Sequence, residues 1–340
     1  MFKHKVSILT GALALAIVGC DSDSSSTDTT PFSLAVSDAA IDEVDEVVIV
    51  VSKVALKSGS DPIVFNVYLM DEEGNPIDED GNPLEEGEDP IPLSIDLLQY
   101  QGGESLTLIN EQVVPVGQYQ MCLFVHDGDH PDYPSYVIES ENTTSMPLSV
   151  SGNGKCPTAN GEEDEFTGIL FFNNAFTINT PNNDYVVEFD LRRGLKEATG
   201  NDEGFTIQRT SVSLVNTILT GEISGTVSST LYDDCETDTE SITGYAHALY
   251  LYQGDVDIDS MTPFAEGGPV TAANVVLDEE TNMYRYEFGF ISEGDYSLGY
   301  TCTANDDSED GIVENGEFSI YRAESNISVV ADEDTTVDFN

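Results

Sequence analysis

The chain has 340 residues, with 64 Asp and Glu against 11 Lys and Arg, a formal net charge of −53. That balance argues against nucleic acid or an anionic membrane surface as a partner, since both need a positive face. Apolar residues make up 39% of the chain and come in short blocks, so acidity here does not mean disorder.

The chain opens with a targeting layout. Lys3 and Lys5 form a positive leader, and Val6 to Val18 is apolar. That run is about 13 residues long, against about 20 for a spanning helix. It closes on Leu15-Ala16-Ile17-Val18-Gly19-Cys20 and turns polar at once. The ending resembles a bacterial lipobox. The resemblance implies cleavage before Cys20, acylation of Cys20 and a lipid anchor in the membrane of a Gram-negative envelope. Asp21 resembles the inner-membrane retention signal of some enteric bacteria. Inner and outer membrane both stay open, as do periplasmic and surface exposure. Residues 1–19 are thus read as signal peptide and 20–31 as lipidated cysteine plus a Ser/Thr/Asp-rich tether.

Beyond the tether, short β-branched and aromatic runs alternate with Gly, Asn, Asp and Pro, and helical periodicity is scarce. The expected fold is all-β, with two β-sandwich-like domains (immunoglobulin-like or transthyretin-like) over residues 32–218 and 219–340. Val44 to Leu56 reads as a central strand. In Tyr119 to His126, alternation puts Tyr119, Met121, Leu123 and Val125 on one face, with Cys122 and Phe124 on the other. Tyr136–Ser140 and Met146–Val150 read as a hairpin. Gly117-Gln118-Tyr119 recurs as Gly294-Asp295-Tyr296, each time before a strand carrying a cysteine. We read it as a shared device for starting a core strand.

Four further cysteines remain: Cys122, Cys156, Cys235 and Cys302. In an exported chain an even count reads as disulfides, and three pairings are possible. Cys122–Cys156 with Cys235–Cys302 is preferred, because each bond then stays within one domain.

Residues 71–89 carry a seven-residue repeat, Asp71-Glu-Glu-Gly-Asn-Pro-Ile77 and Asp78-Glu-Asp-Gly-Asn-Pro-Leu84, with a degenerate third copy from Glu85. Gly-Asn-Pro is turn chemistry, so this is an exposed loop or hairpin tip. A second acidic segment, Asp306 to Glu317, places oxygen ligands at Asp306, Ser308, Asp310, Glu314 and Glu317, with Gly311 at the sixth position. That is the spacing of an EF-hand-type calcium loop, on strand-like rather than helical flanks. Calcium is the one cofactor the sequence suggests. His126-Asp127-Gly128-Asp129-His130 could serve a transition metal or simply end a strand. Arg192 and Arg193 are expected to form ion pairs with Glu188 or Asp190.

Residues 32–218 resemble domain-of-unknown-function family 4382. The matching pieces are Leu34-Ala-Val-Ser-Asp-Ala-Ala-Ile-Asp42, Ile95-Asp-Leu-Leu98, Pro115-Val-Gly-Gln-Tyr119, Thr167-Gly168 and Val187-Glu-Phe-Asp-Leu-Arg-Arg193. The resemblance implies a secreted or lipid-anchored β-rich domain without assigned activity. Residues 219–340 resemble transthyretin-like, carboxypeptidase-regulatory-like sandwiches through Ile223-Ser-Gly-Thr-Val227 and Tyr284 to Tyr296. No metalloprotease, nucleophile-elbow, phosphate-loop or dinucleotide motif occurs. The expected function is non-catalytic: a lipid-anchored envelope protein that binds, adheres or assembles, with an envelope protein or a glycan as partner and no nucleic acid. The alternative is a calcium- or cation-binding envelope module acting through its acidic loops.

Overall fold

The computed structural model describes residues 28–39, 41, 44–59, 61–71, 73–140, 142–151, 156, 166–179, 181–198, 203–241, 243–308, 311–312 and 316–340. The leader, Cys20 and most of the tether lie outside these residues. Among the described residues no helix is long and apolar enough to cross a membrane.

Strands fall into two sets. The first comprises β1 (Thr29–Ala39), β2 (Val44–Lys57), β3 (Ile63–Asn66), β4 (Leu93–Asp96), β5 (Leu106–Pro115), β6 (Gly117–His126) and β7 (Tyr136–Glu139). It continues with β8 (Met146–Ser151), β9 (Thr167–Ile178), β10 (Asp184–Asp190), the short helix α1 (Leu191–Gly194), β11 (Leu195–Glu197), β12 (Phe205–Gln208) and β13 (Val212–Asn216). One sheet has the order β13-β10-β1-β5. The other has β11-β12-β8-β7-β2-β6-β9, with β3 and β4 also paired to β2. The β-branched run from Val44 is therefore central, and β7 and β8 form the expected antiparallel pair.

Alternation decides what each face of β6 buries. Tyr119, Met121, Leu123 and Val125 join Phe32, Ile49 and Phe189 in the main core. Cys122 and Phe124 point the other way, into a small second core with Ala55, Cys156 and Ile169. One boundary differs from the sequence reading. β1 starts at Thr29, inside the stretch expected to be tether. Thr30 is buried, and the Asn183 amide donates to the Thr30 hydroxyl and the Pro31 carbonyl (3.2 and 3.1 Å).

The second set comprises β14 (Thr220–Val227), the helix α2 (Ser229–Asp238), β15 (Ala248–Gln253), β16 (Thr271–Asn274), β17 (Val276–Asp278), β18 (Met283–Ser292) and β19 (Gly294–Thr301). The hairpin β20 (Asp307–Ser308) and β21 (Gly311–Ile312), then β22 (Arg322–Val329) and β23 (Asp334–Thr336), complete it. Two four-stranded sheets, β17-β18-β14-β23 and β16-β15-β19-β22, enclose Ile223, Leu249, Tyr286, Phe288, Leu298 and Phe339. The fold is all-β and sandwich-like, as the turn spacing implied. Among the described residues no strand pairing joins the two sets.

Helix α2 was not anticipated. Ser228 caps it by accepting the Leu231 N–H (3.3 Å), and only Leu231 and Cys235, one turn apart, are buried. Two apolar positions at that spacing are too few to show as a periodic signal.

Candidate functional site

Both preferred disulfides are present. Cys122–Cys156 closes a separation of 34 residues and Cys235–Cys302 one of 67, each worth about 4 kcal/mol in the chain-entropy model. The first fastens the segment around Cys156 to β6. The second fastens α2 to the residue following β19. Cys20, the expected lipidation site, is outside the described residues.

The proposed calcium loop is only partly described. Asp310, Glu314 and the Ser308 side chain fall outside. Asp306 is fully buried and already committed: Oδ1 accepts from Thr243 Oγ1 (2.7 Å) and Ser241 Oγ (3.3 Å), and Oδ2 accepts from the Glu317 N–H (3.2 Å). Asp306 and Glu317 are therefore brought together, but through the Glu317 backbone, while its side chain is exposed. Among the described residues no three His, Cys, Asp or Glu converge as a metal centre.

The acidic repeat builds the same loop twice. Asp71 Oδ1 accepts from the N–H groups of Glu73 and Asn75 (2.9 and 2.8 Å). Asp78 Oδ1 accepts from Asp80 and Asn82 (3.0 and 2.7 Å). Gly74 and Gly81 both sit at φ 82°, where a side chain is disfavoured. The hydrogen bonds to Asn75 and to Asn82 hold the Asp71 and Asp78 carboxyls below the usual carboxylate range. The third copy has Glu85 at the first position. Instead of closing the turn from its own side chain, its N–H donates to Glu88 Oε2 (2.9 Å).

Histidines serve packing. The rings of His126 and His130 stack at 3.9 Å. His126 Nδ1 meets the Tyr133 carbonyl (3.2 Å), and His130 Nδ1 accepts the Tyr133 N–H (3.0 Å). A Glu236–His247–Tyr300 chain, which the sequence reading missed, has the outline of a catalytic relay. His247 Nε2 lies 3.0 Å from Glu236 and Nδ1 2.6 Å from the Tyr300 hydroxyl. Tyr300 is fully buried, however, and Tyr232 stacks on His247 at 3.4 Å, so the chain ties α2 to the sandwich.

The most distinctive place is the joint between the two units. The loop Gln101–Glu104 reaches from the first unit onto β18, where the Gly103 N–H donates to Glu287 Oε1 (2.8 Å). A bulge sets this up. Gly289 and Phe290 together oppose Glu222 on β14, and Phe290 takes φ 54°. Nearby, Arg192 donates to Asn274 Oδ1 across the joint (2.6 Å). This contact was not among those expected of Arg192, whose charge also reaches Asp190. Asp190 caps α1 through the Arg193 N–H (3.1 Å).

Carboxylates gather in this joint. A small cavity is lined by Asp38, Glu188, Thr271, Glu287 and the backbone of Gly102 and Gly289. Asp38 is 1% exposed; neither carboxylate oxygen closes a hydrogen bond of full geometry, though the Leu191 N–H and the Gln101 side chain lie near enough to favour its charged form. Burial, reinforced by the charge of Asp190, holds Asp38 well above the carboxylate range. The same two causes push Glu188 up to about 8. Asp190 rises to about 6 by burial, tempered by the Arg193 N–H and the two guanidinium groups. Beside the cavity opens a groove of about 440 Å³, with Gln101 of the first unit on one side and Ser224, Thr226, Arg285, Glu287 and Asp338 of the second on the other.

An acidic, disulfide-bonded, all-β, sandwich-like protein is what the fold defines. The chain belongs to the family of the domain of unknown function DUF4382, whose model matches residues 29–208. No curated protein matches the chain. Two solved structures show slight similarity. A proposed cell adhesion protein of Bacteroides fragilis is 7% identical, with 90% of this chain and 92% of that chain covered, at a TM-score of 0.21. A proposed adhesin of Bacteroides ovatus is 10% identical, with 96% and 99% covered, at a TM-score of 0.16. Scores this low support no transfer of function.

Proposed function

We propose that the protein is a non-catalytic, lipid-anchored component of a Gram-negative cell envelope that binds an envelope partner, a glycan or a protein, through the groove shared by its two units. The groove is the observation that carries the binding reading. Its donors and acceptors (Gln101, Ser224, Thr226, Arg285, Glu287 and Asp338) are of the kind that hold polyhydroxylated or polar ligands. Anchoring rests on the apolar run ending in Gly19-Cys20. Two acyl signals at one terminus are enough for stable attachment.

The experiment uses the soluble Cys20→Ser form. Binding to envelope glycans and to solubilised envelope proteins is measured for this form and for Arg285→Ala and Asp338→Asn. Binding that is lost in these variants supports the groove. Undiminished binding in both variants places the site elsewhere, and binding to neither class removes the reading. Membrane fractionation of the wild type against Cys20→Ser tests the anchor: unlipidated protein is expected in the soluble fraction.

A further inference from the structure

Two units linked by a single chain connection need something to hold them in one arrangement. Among the described residues the direct links include the Gly103–Glu287 hydrogen bond, the Arg192–Asn274 hydrogen bond, the approach of the Thr271 side chain to Asp190 and the close backbone approach of Gly102 to Gly289. Between them lies the carboxylate cavity. Asp38 enters from the end of β1 and Glu188 from the neighbouring β10, with which β1 pairs in parallel. Facing them are Glu287 of β18 and Thr271 of β16, with Glu222 of β14 beside Glu287 at Gly103. Asp190 of β10 lies to one side with Arg192 and Arg193 of α1. Deeper in the second unit are Asp307 and Tyr250, both within the field of Arg192. Glu104, at the end of the docking loop, is exposed.

We propose that this joint is a proton-operated latch: the two units stay docked while Asp38 and Glu188 are protonated, and part when both ionise. The asymmetry of the charges decides which groups act. Asp190 has two arginines and a backbone N–H to receive its negative charge, so it can ionise in place. Asp38 has only the Leu191 N–H and the Gln101 side chain to offset burial and the charges of Asp190 and Glu188, and Glu188 has burial and the charge of Asp190 against it. Ionising both sets like charges against each other where solvent reaches them poorly. Opening the joint hydrates them at the cost of the links above. The strands of each unit are untouched, so opening is cheaper than unfolding. Because the docked-state values are raised, the docking energy is full below the ordinary carboxylate range. It is lost as pH climbs through the raised values. This inference goes beyond the binding reading and does not depend on it.

The test uses the whole Cys20→Ser chain. Amide exchange at 101–104 and 271–274, corrected for its intrinsic pH dependence, is measured from about pH 5.5 to about pH 8.5, with small-angle scattering in parallel. Exchange at both segments should rise at least about tenfold, the effect of one pKa unit, with a larger radius of gyration and unchanged protection in β2 and β19. Asp38→Asn/Glu188→Gln should stay docked throughout. Glu188→Gln alone, at the less enclosed of the two positions, should move the opening to higher pH and guards against a double variant that fails to fold. Flat exchange in the wild type overturns the latch. So does opening that persists unchanged in Glu188→Gln. Closure at the alkaline end that requires added calcium also overturns it, in favour of a cation-filled cavity.

Discussion

Gly289 lies so close to the carbonyl of Gly102 that it could not gain a side chain without moving the Gly102 backbone. The atoms a Cβ at Gly289 would meet are all main-chain: Gly102 O and C, and Gly103 N. A flexible side chain could swing away; these cannot. Gly289→Ala should therefore cost about 1–3 kcal/mol, as overpacking does, and should raise amide exchange in 101–104 before it affects either core. Thermal unfolding with exchange mass spectrometry checks both parts.

Tyr119 and Tyr296 make the same contact in the two units. Each hydroxyl donates to the carbonyl four residues back, Pro115 (2.7 Å) and Ser292 (2.9 Å), just before the strand that carries Cys122 or leads into Cys302. Removing either hydroxyl leaves the ring in place and one acceptor unpaired. Tyr119→Phe and Tyr296→Phe should each lower stability by about 1 kcal/mol, measured by denaturant titration with an unchanged slope.

Asp306 holds three donors, so its loss leaves Thr243, Ser241 and the Glu317 N–H without their acceptor. Asp306→Ala should cost about 1–3 kcal/mol, by the same amount with calcium as with chelator. A wild-type melting midpoint that rises with calcium, with the rise lost in Asp306→Ala, would instead support the calcium loop.

Stability should fall as pH rises. Asp38, Glu188, Asp190 and Asp307 are all raised, Glu188 to about 8 and Asp190 and Asp307 to about 6, so the folded state holds more protons than the unfolded one. Their contribution is complete below the ordinary carboxylate range and lost through the raised values. Asp71 and Asp78 act in the opposite sense, losing stability as pH drops, but they are exposed and screened. Calorimetry across neutral pH at high salt, which suppresses surface repulsion, should still show the decline.

Asp71 and Asp78 should titrate as a matched pair, both below a normal aspartate, because their loops are copies. Carbon-detected carboxyl titrations would show this. Asp78→Ala should loosen exchange at Asp80 and Asn82 and leave the Asp71 loop intact, since each loop's hydrogen bonds are its own.

Much of this was legible along the chain because it is local. The two faces of β6 follow from the two-residue period of a strand. The acidic repeat follows from an aspartate that can only reach amides two and four positions on, and from a glycine free to take φ 82°. Keeping each disulfide within one unit was enough to choose one pairing out of three. Helix α2 escaped because its buried face is two residues wide, and β1 began early because Asn183, far along the chain, claims Thr30.

By itself, then, the sequence determined the all-β class, the disulfide partners and the turn chemistry. Each of these depends on period, on spacing or on residues a few positions apart. Only the tertiary structure decided that Asp38 and Glu188 share a cavity, that Arg192 reaches Asn274, and that Gly102 meets Gly289. Those pairs come from segments with no local signal in common. They meet because β1 and β10 pair in parallel and because a bulge in β18 opens room for a glycine loop. Burial, which no linear pattern records, then makes ordinary carboxylates hold their protons.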